Sequence, residues 1–140
     1  MIRKINELSD HVLYEFLSYC MSPVHERIEN ESSNYRTNVD RELYGIFVEN
    51  KLVGITGLIR GQQEIEVKHL AIHPGFRKQG MGRQLLYFVM ESAKPHKLIV
   101  ETDKDAVDFY KKMGFTITSL GEKYPGVERF KCEYGTGTIF

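Results

Sequence analysis

Residues 69–86, HLAIHPGFRKQGMGRQLL, limit what this chain can fold into more than any other stretch. An apolar run stops at Pro74. A loop follows in which Gly80 and Gly82 stand among Arg77, Lys78 and Arg83, and residues at helical spacing begin at once. Met81, Leu85 and Val89 share one stripe, with Leu86 and Met90 beside it. Lys94–Pro95 ends that helix, and HKLIVET then reads as a compact buried strand. Strand, loop, helix and second strand make a parallel crossover, so an α/β sheet is already implied.

The flanks extend that sheet. MIRKI reads as a short first strand, and LSDHVLYEFLSYC as a helix with Ser9 or Asp10 at its N-cap and Leu13, Phe16, Leu17 and Cys20 on one stripe. Pro23 breaks it. The polar segment from Val24 to Glu42 is ambiguous, and is expected to give a short helix and then a loop. LYGIFVEN, KLVGITGLIRG and EIEVKHLAI are strand-like runs joined at Asn50–Lys51 and Gly61–Gln62, turns short enough to make neighbours antiparallel. Alternation along the third run puts His69 with Ile65, Val67 and Ala71. Further on, DAVDFYKKMG carries Ala106, Phe109, Tyr110 and Met113 at helical spacing, with Gly114 placed for a left-handed C-cap. FTITSL and GVERFKCEY close the chain as two alternating strands. The expected order is β α α β β β α β α β β, a single domain over residues 1–140. Its sheet would be mixed and twisted, with about seven strands flanked by helices.

Composition argues against several classes of function. Lys plus Arg and Asp plus Glu number 19 each, so no overall field draws the chain to nucleic acid or an anionic membrane, and any basic patch is local. No apolar run approaches the roughly 20 residues that span a bilayer, and the N-terminus lacks a signal peptide's apolar core. Cys20 and Cys132 lie far apart, without metal-ligand spacing to another Cys or His. They read as reduced thiols, no metal is expected, and the expected location is cytoplasmic.

A helix N-terminus presents N–H groups without partners and a partial positive charge. Glycines in the preceding loop let those groups converge on an anion, and Arg77, Lys78 and Arg83 add charge. A diphosphate suits this arrangement; a tight turn with solvated cations is the plainer alternative. The loop is not a Walker A motif, because Gly80 is followed by Met81-Gly82-Arg83 rather than Lys-Ser/Thr. Nor is it a dinucleotide fingerprint, since Leu85 stands where the third glycine belongs.

What remains, Arg-x-x-Gly-x-Gly over Arg77, Gly80 and Gly82, resembles the acetyl-CoA pyrophosphate loop of the GCN5-related N-acetyltransferase (GNAT) family. The resemblance covers about residues 44–116. Upstream, EIEVKHLAIHP is similar to the family's strand that ends in an apolar pair and often His-Pro. Downstream, Asp103, Ala106, Phe109, Tyr110, Gly114 and Phe115 occupy the offsets of its second signature. One departure stands out: Asp103 replaces the usual Asn, and reads most simply as a helix cap.

The resemblance implies an acetyl-CoA-dependent N-acetyltransferase that moves acetyl directly to an amine. It implies a cofactor site of Leu70 and Ile72 through their backbone, and of Arg77, Lys78, Gln79, Gly80, Met81, Gly82 and Arg83 around the pyrophosphate. It implies Tyr110 as proton donor to the departing thiolate and Glu66, six residues before Ile72, as general base. Glu64, Glu101 and His69 are alternative bases. Glu66 also reads as a solvated strand residue, and Tyr110 as a core aromatic. Two rival functions stay open: a non-catalytic CoA sensor, and a structural domain with an empty loop. The acceptor could be a small molecule or a peptide or protein amine, and the chain a monomer or homodimer. Glu26, Glu29, Glu31, Asp40 and Glu42 would suit a cationic acceptor, although solvated surface explains them as well.

Overall fold

The computed structural model describes residues 1–92 and 97–135. Its strands are β1 (Ile2–Ile5), β2 (Arg41–Val48), β3 (Lys51–Arg60), β4 (Glu64–Ile72), β5 (Lys97–Asp103), β6 (Thr116–Tyr124) and β7 (Val127–Gly135). They form one seven-stranded sheet in the order β1-β2-β3-β4-β5-β7-β6. The crossover through the glycine loop makes β4 and β5 parallel, and the other neighbours run antiparallel. The helices are α1 (Asp10–Ser18), α2 (His25–Thr37), α3 (Met81–Ser92) and α4 (Val107–Lys112). The expected stop at Lys94–Pro95 lies outside the described residues. The α/β expectation, with helices on both sides of a mixed sheet, holds.

Each face of the sheet has its own core. Leu13, Phe16 and Leu17 of α1 and Ile28 of α2 pack with Leu43, Ile55 and Ala71 on one face. On the other, Leu86, Val89 and Met90 of α3 and Tyr110 of α4 pack with Leu58, Ile65, Val67, Leu98 and Val100. Gly114 takes φ 98° at the end of α4, as a left-handed cap requires. The β2–β3 hairpin turns on Glu49 and Asn50, with φ 51° and 65°, one residue earlier than the sequence suggested. Two consecutive left-handed residues give the turn a twist that matches its strands.

Two expectations need correction. The segment after Pro23 forms a full helix of 13 residues rather than a short one. Its buried stripe is narrow and partly polar, Ile28 and Ser32 with Tyr35 beside them, so apolar periodicity alone undercounts it. Polar contacts support the rest: His25 Nε2 lies 3.1 Å from Glu29 Oε1, and Arg36 pairs with Asp10 at 2.6 Å and Arg41 with Glu31 at 3.0 Å. The second correction concerns β4. Leu58 pairs with Val67 but Gly57 pairs with His69, so Lys68 is an extra residue in a β-bulge. The bulge shifts the phase of alternation, and His69 and Ala71 face α1 and α2 while Ile65 and Val67 face α3 and α4.

His69 is thereby placed in a buried polar network. Its Nδ1 lies 2.6 Å from Tyr35 Oη, and its Nε2 lies 3.6 Å from Glu31 Oε1. A carboxylate facing Nε2 favours the proton there, leaving Nδ1 to accept from the tyrosine. Gly57 makes room for this: a Cβ at that position would lie 1.9 Å from Tyr35 Oη. Burial lowers the His69 pKa to about 4, against the opposing pull of Glu31. Burial pushes Glu31 upward, but the Arg41 hydrogen bond and charge outweigh it and hold the carboxyl below its usual range.

The consequence for stability has a definite sign. The unfolded chain binds a proton at His69 below about pH 6.5 and the folded chain resists it, so stability falls as pH drops. Between about pH 7 and about pH 4.5 urea unfolding should lose on the order of 2 kcal/mol from this residue. His69→Gln should flatten the profile in that window. An equally steep profile in the variant would assign the acid sensitivity elsewhere.

Candidate active site

Strands β4 and β5 pair only from Glu64–Glu66 to Lys97–Ile99. β4 continues to Ile72 and β5 to Asp103, so beyond Glu66 the two strands part. On its outer side β5 stays paired with β7 along its whole length. The backbone of β4 facing the gap therefore has no strand partner, and such groups require water or a ligand.

A cavity of about 560 Å³ fills the region between this gap and the glycine loop. Leu70, Ala71 and Ile72 line it from β4, Phe76, Arg77, Lys78 and Gly80 from the loop, and Met81, Gly82 and Arg83 from the start of α3. Tyr19, Ala106, Phe109 and Tyr110 complete it. Of the expected cofactor residues, Leu70, Ile72, Arg77, Lys78, Gly80, Met81, Gly82 and Arg83 thus border one space, whereas Gln79 lies in the loop outside the lining.

The loop's shape comes from two left-handed residues, Lys78 at φ 62° and Gly80 at φ 80°. Nothing lies within 4 Å of a Cβ built on Gly80, so glycine serves backbone conformation there rather than space. The Gly80 carbonyl accepts from Gln84 N–H at 3.0 Å and begins α3. The earlier N–H groups of that helix, on residues that line the cavity, have no acceptor within the helix. Arg77 Nε donates to the Ile72 carbonyl at 3.1 Å, and its guanidinium sits 5.9 Å from the centre of the Tyr19 ring.

A second cavity of about 330 Å³ lies next to the first. Cys20, Val67, Lys68, His69, Val100, Glu101, Thr102, Asp103 and Arg129 line it, together with Leu70, Ala106 and Tyr110. Those last three line both cavities. Tyr110 is 6% exposed, packed edge-on against Phe109 and Phe115. Burial raises its pKa above the ordinary phenol value, reinforced by Cys132, Cys20 and Asp103. Cys20 borders the cavity, yet surrounding protein desolvates its thiol and lifts the pKa to about 11, with the Leu70 backbone pulling the other way.

Glu66 is half-buried at the last β4–β5 rung, opposite Ile99, and lines neither cavity. The alternative bases are placed differently. Both nitrogens of His69 face protein partners, and Glu101 is engaged by Lys123 at 2.8 Å and Arg129 at 3.5 Å. Asp103 Oδ1 accepts from the N–H groups of Asp105 at 3.0 Å and Ala106 at 3.2 Å, so it braces the turn that leads into α4, whose N-cap is Ala106 rather than Asp103 as the sequence suggested. Sequence reasoning missed Tyr19 and Cys20 as wall residues. They sit just past α1, where nothing in SYC signals that the chain runs back over the sheet.

This arrangement has counterparts. Residues 9–130 match the model of the acetyltransferase (GNAT) domain family. An uncharacterized N-acetyltransferase of Staphylococcus epidermidis is 28% identical over 123 residues, covering 80% of this chain and 83% of the relative. The ribosomal-protein-S18-alanine N-acetyltransferase from Escherichia coli superimposes with a TM-score of 0.82 at 15% identity, over 100% of this chain and 96% of that one. An aminoglycoside 6'-N-acetyltransferase complexed with coenzyme A gives a TM-score of 0.79 at 15% identity, over 96% of both chains. A GNAT acetyltransferase from Elizabethkingia anophelis with acetyl-CoA bound gives 0.72 at 22% identity, over 96% of this chain and 97% of that one. With the family model spanning most of its length and the parted strands, glycine loop and buried tyrosine in one site, the chain belongs to the GNAT family of N-acetyltransferases.

Proposed function

We propose that the protein transfers an acetyl group from acetyl-CoA directly to an amine acceptor, with no acetylated enzyme intermediate. The observation that carries this reading is the junction of the two cavities, where the unpaired edge of β4 meets Tyr110. The larger cavity suits the cosubstrate and the smaller one the amine. The resemblance to structures that contain coenzyme A or acetyl-CoA supports the choice of donor.

In this reading the pyrophosphate sits at the start of α3. Backbone N–H groups from Lys78 through Arg83 hold it, Gln79 included, and Arg77 and Lys78 add side-chain charge. The left-handed turns at Lys78 and Gly80 fit that role because they aim successive N–H groups to one side. Leu70 and Ile72 bond the pantetheine arm through the free edge of β4, and a backbone N–H there polarises the thioester carbonyl. The neutral amine attacks that carbonyl carbon, and the C–S bond breaks. Tyr110 gives its proton to the departing sulfur. Its raised pKa keeps the phenol protonated through neutral and mildly alkaline pH, as a donor must be. Glu66 accepts the ammonium proton through intervening water, since it lies outside the cavity wall. No step calls on a metal.

Two variants test the assignments. Tyr110→Phe should lower turnover by about 100-fold while acetyl-CoA affinity, measured by calorimetry, stays within about twofold of the parent. Unchanged turnover would remove Tyr110 from the reaction. At Gly82 a Cβ meets only ordinary contacts, 3.6 Å from Leu70 and from Phe109, so the helix tolerates a side chain. Gly82→Val pushes methyl groups into the cavity and should weaken acetyl-CoA binding at least tenfold with little change in melting temperature. Normal binding by this variant would sink the cradle assignment.

A further inference from the structure

We propose that Asp103 recognises the acceptor, selecting amines that arrive as cations by holding the ammonium beside Tyr110; this rests on the acetyltransferase reading above. Asp103 borders the smaller cavity and not the larger one, so its carboxylate belongs to the acceptor side. Along β5, Leu98 and Val100 enter the core against α3 and α4. Alternation turns Ile99, Glu101 and Asp103 to the opposite face, beside Glu133, Lys131 and Arg129 of β7.

The charges on that face are almost all spoken for. Glu101 is bound by Lys123 and Arg129, and Glu133 by Lys97 at 2.9 Å and Lys131 at 3.8 Å. Lys68, also at the cavity, is exposed and makes no ion pair among the described residues, so its ammonium is held in solvent rather than against Asp103. Asp103 differs: among the described residues no cation lies within ion-pair distance of it. Its Oδ1 accepts from the Asp105 and Ala106 N–H groups, which orients the carboxylate, and its second oxygen has no protein partner among the described residues. An oriented, unpaired carboxylate at the wall of a polar cavity, with a buried phenol next to it, suits a primary ammonium group. An asparagine here would brace the turn equally well through its amide oxygen but carry no charge, so aspartate adds charge without being needed for the turn.

The test uses the full chain with coenzyme A bound and n-butylammonium as probe, followed by amide NMR, with n-butanol as its neutral counterpart. The parent should show saturable shifts around Asp103 and Tyr110 with n-butylammonium, at least tenfold tighter than with n-butanol. Asp103→Asn keeps the turn through its amide oxygen and should erase that preference, while Asp103→Glu should restore part of it. Equal preference in Asp103→Asn, or no preference in the parent while coenzyme A binds, overturns the assignment of Asp103 alone. Failure of the parent to bind coenzyme A or acetyl-CoA by calorimetry would bring down the acetyl-CoA reading itself.

Discussion

A sheet is held together by backbone hydrogen bonds, and a strand that leaves its neighbour midway must satisfy those groups in another manner. Here β4 and β5 share a short parallel ladder and then diverge. Both remain fixed on their far sides, β4 by β3 and β5 by β7, so the gap cannot close by sliding. α3 starts at the end of the glycine loop and packs on the same strands, with Leu85 and Leu86 fully buried. The opening is therefore rigid, polar along its edge and apolar behind it. In the proposed function that combination suits an extended acyl-carrier arm, and the loop at its mouth suits a diphosphate.

The two sides of this opening are stabilised by different physics. The α3/α4 side is a continuous apolar cluster into which Tyr110 is built, and since its hydroxyl has no hydrogen-bond partner among the described residues, packing positions it. The α1/α2 side carries the Tyr35–His69–Glu31–Arg41 network, where charge and hydrogen bonding fix the wall. The Arg41 guanidinium lies over the Tyr35 ring at 5.0 Å, adding a cation–π contact to the network. A buried polar assembly of this kind is costly when incomplete, so it pins α2 to the sheet in one register.

Much of this was legible in the residues, and the rest was not for identifiable reasons. Gly80, Gly114 and the stripes on α3 and α4 announce themselves because their chemistry is local: left-handed backbone and helical spacing are readable within a few residues. The larger cavity's wall follows once those elements are placed. The bulge at Lys68 is different, because a lysine in a bulge looks like a lysine in a regular strand, and the phase error it introduces moves His69 to the other face. α2 escaped because its contacts are ion pairs and a tyrosine hydroxyl reaching residues 34 positions away. Tyr19 and Cys20 became wall residues through tertiary folding alone.

The extra residue in β4 also separates two sets of constraints that a regular strand would entangle. Before Lys68 the strand contributes Ile65 and Val67 to the α3/α4 core; after it, Leu70 and Ile72 look into the larger cavity while Ala71 joins the α1/α2 core. A single strand thus has independently adjustable segments, one answerable to folding and one to the ligand. Deleting Lys68 would only restore regular alternation and leave both sets where they are, whereas one further residue inserted after it would exchange their faces, sending His69 and Ala71 toward α3 and α4 and Leu70 and Ile72 under α1 and α2. In the history of such a chain, point substitution at these positions is a far gentler route to new chemistry than insertion.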